Sequence, residues 1–262
     1  MTRSRREVLE LTGAAALLAA LGLPAAAAGD PTVGLIFPPA NYPMPPDVMA
    51  LFPSGLRFIG NGLGFNGMTI ESYDEAIPRA LPRAKELADQ GASLISVFGS
   101  SITFYKGAAF NKELTDKVTQ LTGLPATTQS NGLVDGLKHV NAKRVAVATA
   151  YTDVVTDRLE IFLEEHGFEI ASAKGLGYER IPEGAATPEI LHELGADAYA
   201  ASRKADALVM SCGGLRTLGV IVPLEKTIGV PVVSSTPHGL WHCARKLGLE
   251  ARIQGYGMVM AA

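Results

Sequence analysis

Three short segments of this chain recur in the same order at nearly constant spacing, and that repeat constrains the fold more than any other feature. Val33–Pro39 (VGLIFPP) resembles Val145–Tyr151 (VAVATAY), 112 residues on. Ala92–Gly99 (ASLISVFG) returns as Ala205–Cys212 (ADALVMSC) after 113 residues, and Gly123-Leu124-Pro125 as Gly229-Val230-Pro231 after 106. Generic likeness between βα units is the alternative to duplication, but it does not dictate a shared order and spacing. The strand candidates are Val33–Phe37, Leu94–Phe98, Arg144–Thr149, Ala207–Ser211 and Val230–Ser234. Helical patterns at Tyr73–Gln90, Lys112–Thr122, Asp153–His166 and Glu189–Lys204 lie between them. Strands alternating with helices through short loops predict parallel sheets covered by helices. The expected fold is therefore α/β, with two pseudo-symmetric domains, each a short parallel sheet flanked by helices, and the active site in the cleft between them. The expected boundaries are 32–140 plus 238–262 for the first half and 141–237 for the second.

The first thirty residues read as an export signal rather than as part of this fold. Arg5-Arg6 precedes an Ala- and Leu-rich run from Leu11 to about Ala28, which ends in small residues suited to a signal peptidase. The arginine pair points to the twin-arginine route and the periplasm. An uncleaved membrane anchor is the alternative, and Gly13, Gly22 and Pro24 break the run against it. Once the signal is cleaved, no membrane association is expected.

Hydrophobic residues make up 47% of the chain and charged residues 19%, with a formal net charge of -3. No block of like charge suggests a nucleic-acid partner. The two cysteines, Cys212 and Cys243, form no CxxC pair, so neither a structural zinc site nor a disulfide framework is expected, though the two could pair in principle. His238 and His242 stand four apart as helix-face metal ligands can, but no accompanying HExxH carboxylate is present, so no metal is assigned.

In such sheets, ligands bind beyond the carboxyl ends of the strands. Four loops fall there: Pro38-Pro39, Gly99-Ser100-Ser101, Ala150-Tyr151 and Cys212-Gly213-Gly214. A cysteine before two glycines at a strand end sits among backbone N–H groups, a natural anion site; a buried core cysteine is the alternative. Ser100 and Ser101 offer hydroxyls to a carboxylate, or cap a helix, or both. Tyr151 offers a phenol, or is a packed aromatic. None of the four loops holds a lysine or arginine, so binding there would rest on neutral donors.

These segments resemble the arylmalonate decarboxylase family of the aspartate/glutamate racemase superfamily. The likeness is carried by Gly99–Asn111, Ala148–Asp153, Ser211–Leu215 and Gly229–Ser235, and spans about Val33 to Tyr256. It implies cofactor-independent decarboxylation of aryl- or alkenyl-malonates, with a small carboxylate as substrate. Racemases and maleate isomerases of the superfamily use two cysteines, one per half. Here the first-half position is Gly99 and the second is Cys212, the pattern of the decarboxylase. The resemblance implies that Cys212 is the proton donor. Ser100, Ser101, Tyr151, Gly213 and Gly214 would form a dioxyanion hole, and Pro39, Leu63, Phe65, Met68, Tyr73, Ile102 and Ile181 would line an apolar pocket for the departing carboxylate. Phe65 and Met68 are larger than the aliphatic residues the resemblance implies. The alternatives are a racemase or cis-trans isomerase of a small carboxylate, or a non-catalytic carboxylate-binding protein. The sequence leaves the oligomeric state open, a monomer being compatible.

Overall fold

The computed structural model describes residues 29–262 apart from 42 and 66. The expected export signal, up to residue 28, lies outside the described residues. No helix among the described residues is long and apolar enough to cross a membrane.

Residues 31–262 form one unit containing two four-stranded parallel sheets. In the first, β1 (Thr32–Phe37) and β3 (Leu94–Val97) are central, with β2 (Arg57–Gly62) and β4 (Ala126–Thr128) at the edges, in the order β2-β1-β3-β4. The second holds β5 (Arg144–Thr149), β6 (Glu169–Gly175), β7 (Ala207–Ser211) and β8 (Val232–Ser234) in the order β6-β5-β7-β8. The two orders match strand for strand, as the repeat predicts. β1, β3 and β7 are buried at every residue and β5 at all but its first, because helices cover both faces of a parallel sheet. These are the continuous apolar runs visible in the sequence. β2 and β6 are half exposed and carry Arg57, Asn61, Glu169 and Lys174, so they leave no such run and sequence reasoning missed them. β4, three residues long, was missed too.

The helices are α1 (Asp47–Leu51), α2 (Ile70–Ala76), α3 (Ala80–Asp89), α4 (Ser100–Phe104), α5 (Gly107–Thr122), α6 (Gln129–His139), α7 (Asp153–Glu165), α8 (Pro188–Ala201), α9 (Leu218–Ile228), α10 (Ser235–Lys246) and α11 (Met258–Ala261). The single helix expected over Tyr73–Gln90 is instead α2, a 3₁₀ turn at Ile77–Arg79, and α3. Pro78 lacks the N–H that a continuous helix would need there. Thr69, Thr128 and Thr187 cap α2, α6 and α8, each accepting a backbone N–H three residues on.

α6 and α10 follow equivalent strands and cross closely. A Cβ on Gly132 would come within 2.8 Å of Gly239 Cα, so the crossing needs glycine. α10 thereby joins the second sheet to a first-half helix. Glu225 of α9, buried, accepts from Val232 N at 3.0 Å and from Met258 N at 3.0–3.1 Å, tying α11 to the second half. Gly257 makes that turn at φ 106°, a conformation that favours glycine.

The histidine pair does not converge on one point. His238 Nδ1 accepts from Ser234 N at 2.8 Å, whereas His242 faces Asp135 and Thr127. Burial drives His238 down to about 4 from its ordinary 6.5, so the fold holds it neutral. Its contribution to stability is complete above the unfolded value of 6.5 and is lost as pH falls through 4. The shift corresponds to about 3 kcal/mol. In urea unfolding between about pH 7 and pH 4, wild type should lose about that much more stability than His238→Gln. Equal losses would show that the imidazole is solvated in the fold.

Candidate active site

The carboxyl ends of β1, β3 and β7, with Thr236 just beyond β8, supply residues that meet at one cavity of about 330 Å³. Gly99 is extended (φ -154°) and caps α4, which turns Ser100 and Ser101 inward, both buried. Thr103 and Ser130 hydroxyls donate to the Ser100 carbonyl, both at 2.9 Å, and hold this turn. A Cβ at Gly99 would meet Pro38 Cγ at 2.4 Å, so a side chain there would require the proline ring to shift.

Behind Cys212, four hydroxyls form a closed ring. Ser100 Oγ lies 3.1 Å from the Tyr151 hydroxyl and 3.0 Å from Ser235 Oγ. Ser211 Oγ completes it at 3.4 Å from both Tyr151 and Ser235. Each hydroxyl can donate once and accept once, so the buried ring is satisfied, yet Ser100, which lines the cavity, can turn its proton outward. Burial foremost raises Tyr151 well above the ordinary phenol value, which keeps it neutral and a donor. Ser235 Oγ also accepts from Cys212 N at 3.2 Å, fixing the cysteine backbone to the ring.

Cys212 is 6% exposed and reaches the cavity. Its sulfur lies 3.7 Å from Met68 Sδ, and Gly214 N–H donates to it at 3.4 Å. Burial raises the thiol from 9.0 to about 11, against smaller lowering by Gly214 N–H and the Tyr151 hydroxyl. The sulfur is therefore a protonated thiol at neutral pH. Iodoacetamide should accordingly label Cys212 on the order of a hundredfold slower at neutral pH than a small free thiol, rising about tenfold per pH unit past pH 9 without a plateau. A plateau near 9 would show that the thiol is not desolvated. Cys212 and Cys243 are both free thiols; the pairing left open by the sequence is not formed.

Of the residues singled out in the sequence, Pro39, Phe65, Met68, Ile181, Gly99, Ser100, Ser101, Cys212, Gly213 and Gly214 line the cavity. Leu63, Tyr73 and Ile102 are fully buried and lie outside that lining. Phe65 stands in front of Tyr73, stacked on its ring at 5.4 Å, because its larger side chain fills the space an aliphatic residue would leave. Tyr73 carries a buried hydroxyl without a formed hydrogen bond, close to Ser101. Tyr151 also lies behind the wall and acts on it through Ser100.

Sequence reasoning missed Ser235, Ser211, Thr236 and Gln129. Thr236 donates to the Gly213 carbonyl at 3.2 Å, and the Gln129 carboxamide packs under Gly213. Ser234-Ser235 was legible as a strand-end pair equivalent to Thr128-Gln129 in the first half; the link to Cys212 was not. Phe37, Pro45 and Phe98 complete the apolar wall. Arg180 and Glu179 stand at its edge, so the cavity is not wholly uncharged, as the four strand-end loops alone suggested. They come from the β6–α8 connection, where Glu179 O accepts from Met68 N at 2.7 Å and joins the halves across the cavity.

Two matched sheets and a single cleft cysteine define a protein of the aspartate/glutamate racemase superfamily with the decarboxylase arrangement. The model of the arylmalonate decarboxylase family matches residues 33–260. The chain is 41% identical over 232 residues to an arylmalonate decarboxylase of Bordetella bronchiseptica, covering 88% of this chain and 96% of that protein. A crystal structure of an arylmalonate decarboxylase double mutant in its liganded form superposes with a TM-score of 0.84 at 40% identity, over 87% of this chain and 98% of that one. The maleate isomerase Iso of Pseudomonas putida S16 shares the fold, with a TM-score of 0.77 at 22% identity over 88% and 98%. The chain belongs to the arylmalonate decarboxylase family and is a carboxy-lyase.

Proposed function

We propose that the protein decarboxylates disubstituted malonates bearing an aryl or alkenyl group, without a cofactor, and that Cys212 delivers the proton. The observation that carries this is one buried, protonated thiol set beside a ring of neutral hydroxyls at the end of an apolar cavity. The retained carboxylate takes hydrogen bonds from Ser100, Ser101 and the N–H groups of the Gly213 turn, and Tyr151 completes this dioxyanion hole from behind by donating to Ser100. The departing carboxylate lies against Pro39, Phe65, Met68 and Ile181, where an ionised group is poorly solvated. Breaking the bond to it releases neutral CO₂ and relieves that cost. The electron pair passes into the retained carboxylate as an enediolate, whose charge the fixed donors stabilise without reorganisation. The Cys212 S–H then protonates the carbon from one face. The thiolate left behind accepts from Gly214 N–H until solvent returns its proton.

Gly99 supports this reading over a two-thiol racemase, since a second cysteine there would require the Pro38 ring to shift. The twin-arginine start supports export of the folded protein to the periplasm. The test is CO₂ release from phenylmalonate and alkenyl analogues. Turnover with a chiral product is expected when the two substituents differ. No CO₂ from any disubstituted malonate, with α-hydrogen exchange of a chiral carboxylate in D₂O instead, would make the protein a racemase.

A further inference from the structure

The turn that carries Cys212 has two forms open to it, and two distant side chains choose between them. Cys212 O accepts from Leu215 N at 3.1 Å, which makes Cys212–Leu215 a β-turn whose central peptide joins Gly213 to Gly214. Type I and type II turns differ in which way that central peptide faces, and glycine at the third position admits both. Type II needs a positive φ there, and Gly214 has none, so the turn is held in the type I sense. Its central N–H, on Gly214, donates to Cys212 Sγ at 3.4 Å. Turning the peptide over would swing that N–H away and set the Gly213 carbonyl on the side of the sulfur.

Thr236 and Gln129 oppose that flip. Thr236, buried in the first turn of α10, donates to the Gly213 carbonyl at 3.2 Å. Gln129, the buried first residue of α6, donates through Nε2 to Thr236 Oγ1 at 3.2 Å. The direction of this relay depends on no titrating group. A carbonyl only accepts, so the single Thr236 proton goes to Gly213, and Thr236 Oγ1 is left to accept. Gln129 must therefore present its N–H₂. The close crossing of α6 and α10 seats Gln129, since a Cβ on Gly239 would lie 3.0 Å from Gln129 Cγ. The neighbouring Ser235 accepts from Cys212 N, so the first turn of α10 grips the cysteine turn twice. Of those two contacts, only the one from Thr236 fixes which way the central peptide faces.

From this geometry we infer that Thr236 and Gln129 are positioning residues, which hold the Gly213–Gly214 peptide with its N–H toward Cys212 and the retained carboxylate. The flipped peptide would place a carbonyl oxygen where the thiolate and the enediolate carry their charge. The effect on turnover rests on the decarboxylase reading above; the effect on the thiol does not, because the peptide faces the sulfur in the protein without substrate.

Labelling of Cys212 by iodoacetamide at about pH 9, resolved from Cys243 by peptide mapping, reads the direction of the peptide, because an N–H beside the sulfur populates the thiolate and a carbonyl depletes it. Thr236→Val keeps the side-chain shape and removes the donor, so labelling should slow by about tenfold, as expected for one hydrogen bond to a charged group. Thr236→Ser should keep the wild-type rate. Gln129→Met should slow labelling less, and should add nothing to Thr236→Val, since it acts through that hydroxyl. Phenylacetate formation from phenylmalonate should fall in the same order. Labelling of Thr236→Val at the wild-type rate or faster overturns the proposal, since loss of a merely structural contact would loosen the site and expose the thiol. Additive effects in the double variant overturn it too. Gln129→Met, which leaves Thr236 in place, decides alone should Thr236→Val not fold. If the labelling order holds but wild type does not turn over phenylmalonate, the decarboxylase reading fails and the positioning stands.

Discussion

Replacing Cys212 with alanine is expected to lower kcat by about 10³-fold or more while leaving the fold and substrate affinity almost unchanged, because a positioned general acid contributes about that factor. In the proposed reaction the thiol is the group that would give its proton to carbon. Tyr151 is held neutral, but its hydroxyl stands behind the wall in the ring with Ser100 and Ser211, so it cannot substitute. Alanine is smaller than cysteine and leaves the Cys212 N–H bond to Ser235 intact, so the site should survive the change. The measurement is steady-state formation of phenylacetate from phenylmalonate, which requires the protonation step, with circular dichroism as the control for folding. Retention of more than about a tenth of the wild-type kcat would remove Cys212 from the chemistry, since that loss is smaller than a general acid supplies.

The second large effect is expected at Tyr151. Tyr151→Phe keeps the ring packed edge-on against Phe104, at 5.8 Å between centroids, and removes only the hydroxyl. Loss of one donor from a preorganised anion cradle costs about 10² to 10³ in kcat. The loss should fall on kcat rather than KM, because Ser100, polarised by the Tyr151 hydroxyl, would strengthen its bond as charge grows on the enediolate. Ser100 and Ser211 each lose a partner with it, so the ring opens and part of the loss is orientational. A rise in KM alone would mean that Tyr151 only helps to bind the ground-state carboxylate. The two changes also differ in which step they slow. Without Cys212, CO₂ departure continues to be supported by the donors; without the Tyr151 hydroxyl, bond cleavage itself slows.

The cavity wall has a bearing on substrate choice. Phe65 and Met68 bring bulk close to Cys212, with Met68 Sδ 3.7 Å from the thiol. In the proposed reaction this bulk would leave the aryl or alkenyl group the side lined by Phe37, Pro45 and Phe98.

Much of the fold was legible because buried parallel strands leave an unambiguous trace. Val145–Thr149 and Ala207–Ser211 are apolar on both faces, and their limits in the structure are those expected from sequence. β2 and β6 were not legible, since an edge strand with one wet face and charged residues has no such pattern. The same distinction holds for the site. Cys212-Gly213-Gly214 and Gly99-Ser100-Ser101 could be read because a strand end followed by glycine or serine has local meaning. Ser235 could not be tied to Cys212, 23 positions away, because nothing in the spacing says that two serines and a tyrosine from three other segments close a ring behind it. Tyr73 is fully buried with the Phe65 ring stacked on it, a contact between separate segments that no local pattern announces.

The sequence by itself determined the duplicated α/β architecture, the four strand-end loops and the single cysteine among them, because each is written in local hydrophobic pattern and neighbouring residue types. Only the tertiary structure decided the protonation of that cysteine, the hydroxyl ring, the proline ring packed against Gly99 and the charged edge of the cavity. Those depend on how far water is excluded and on atoms from distant segments coming within a few ångströms, and neither quantity is carried by any one stretch of chain.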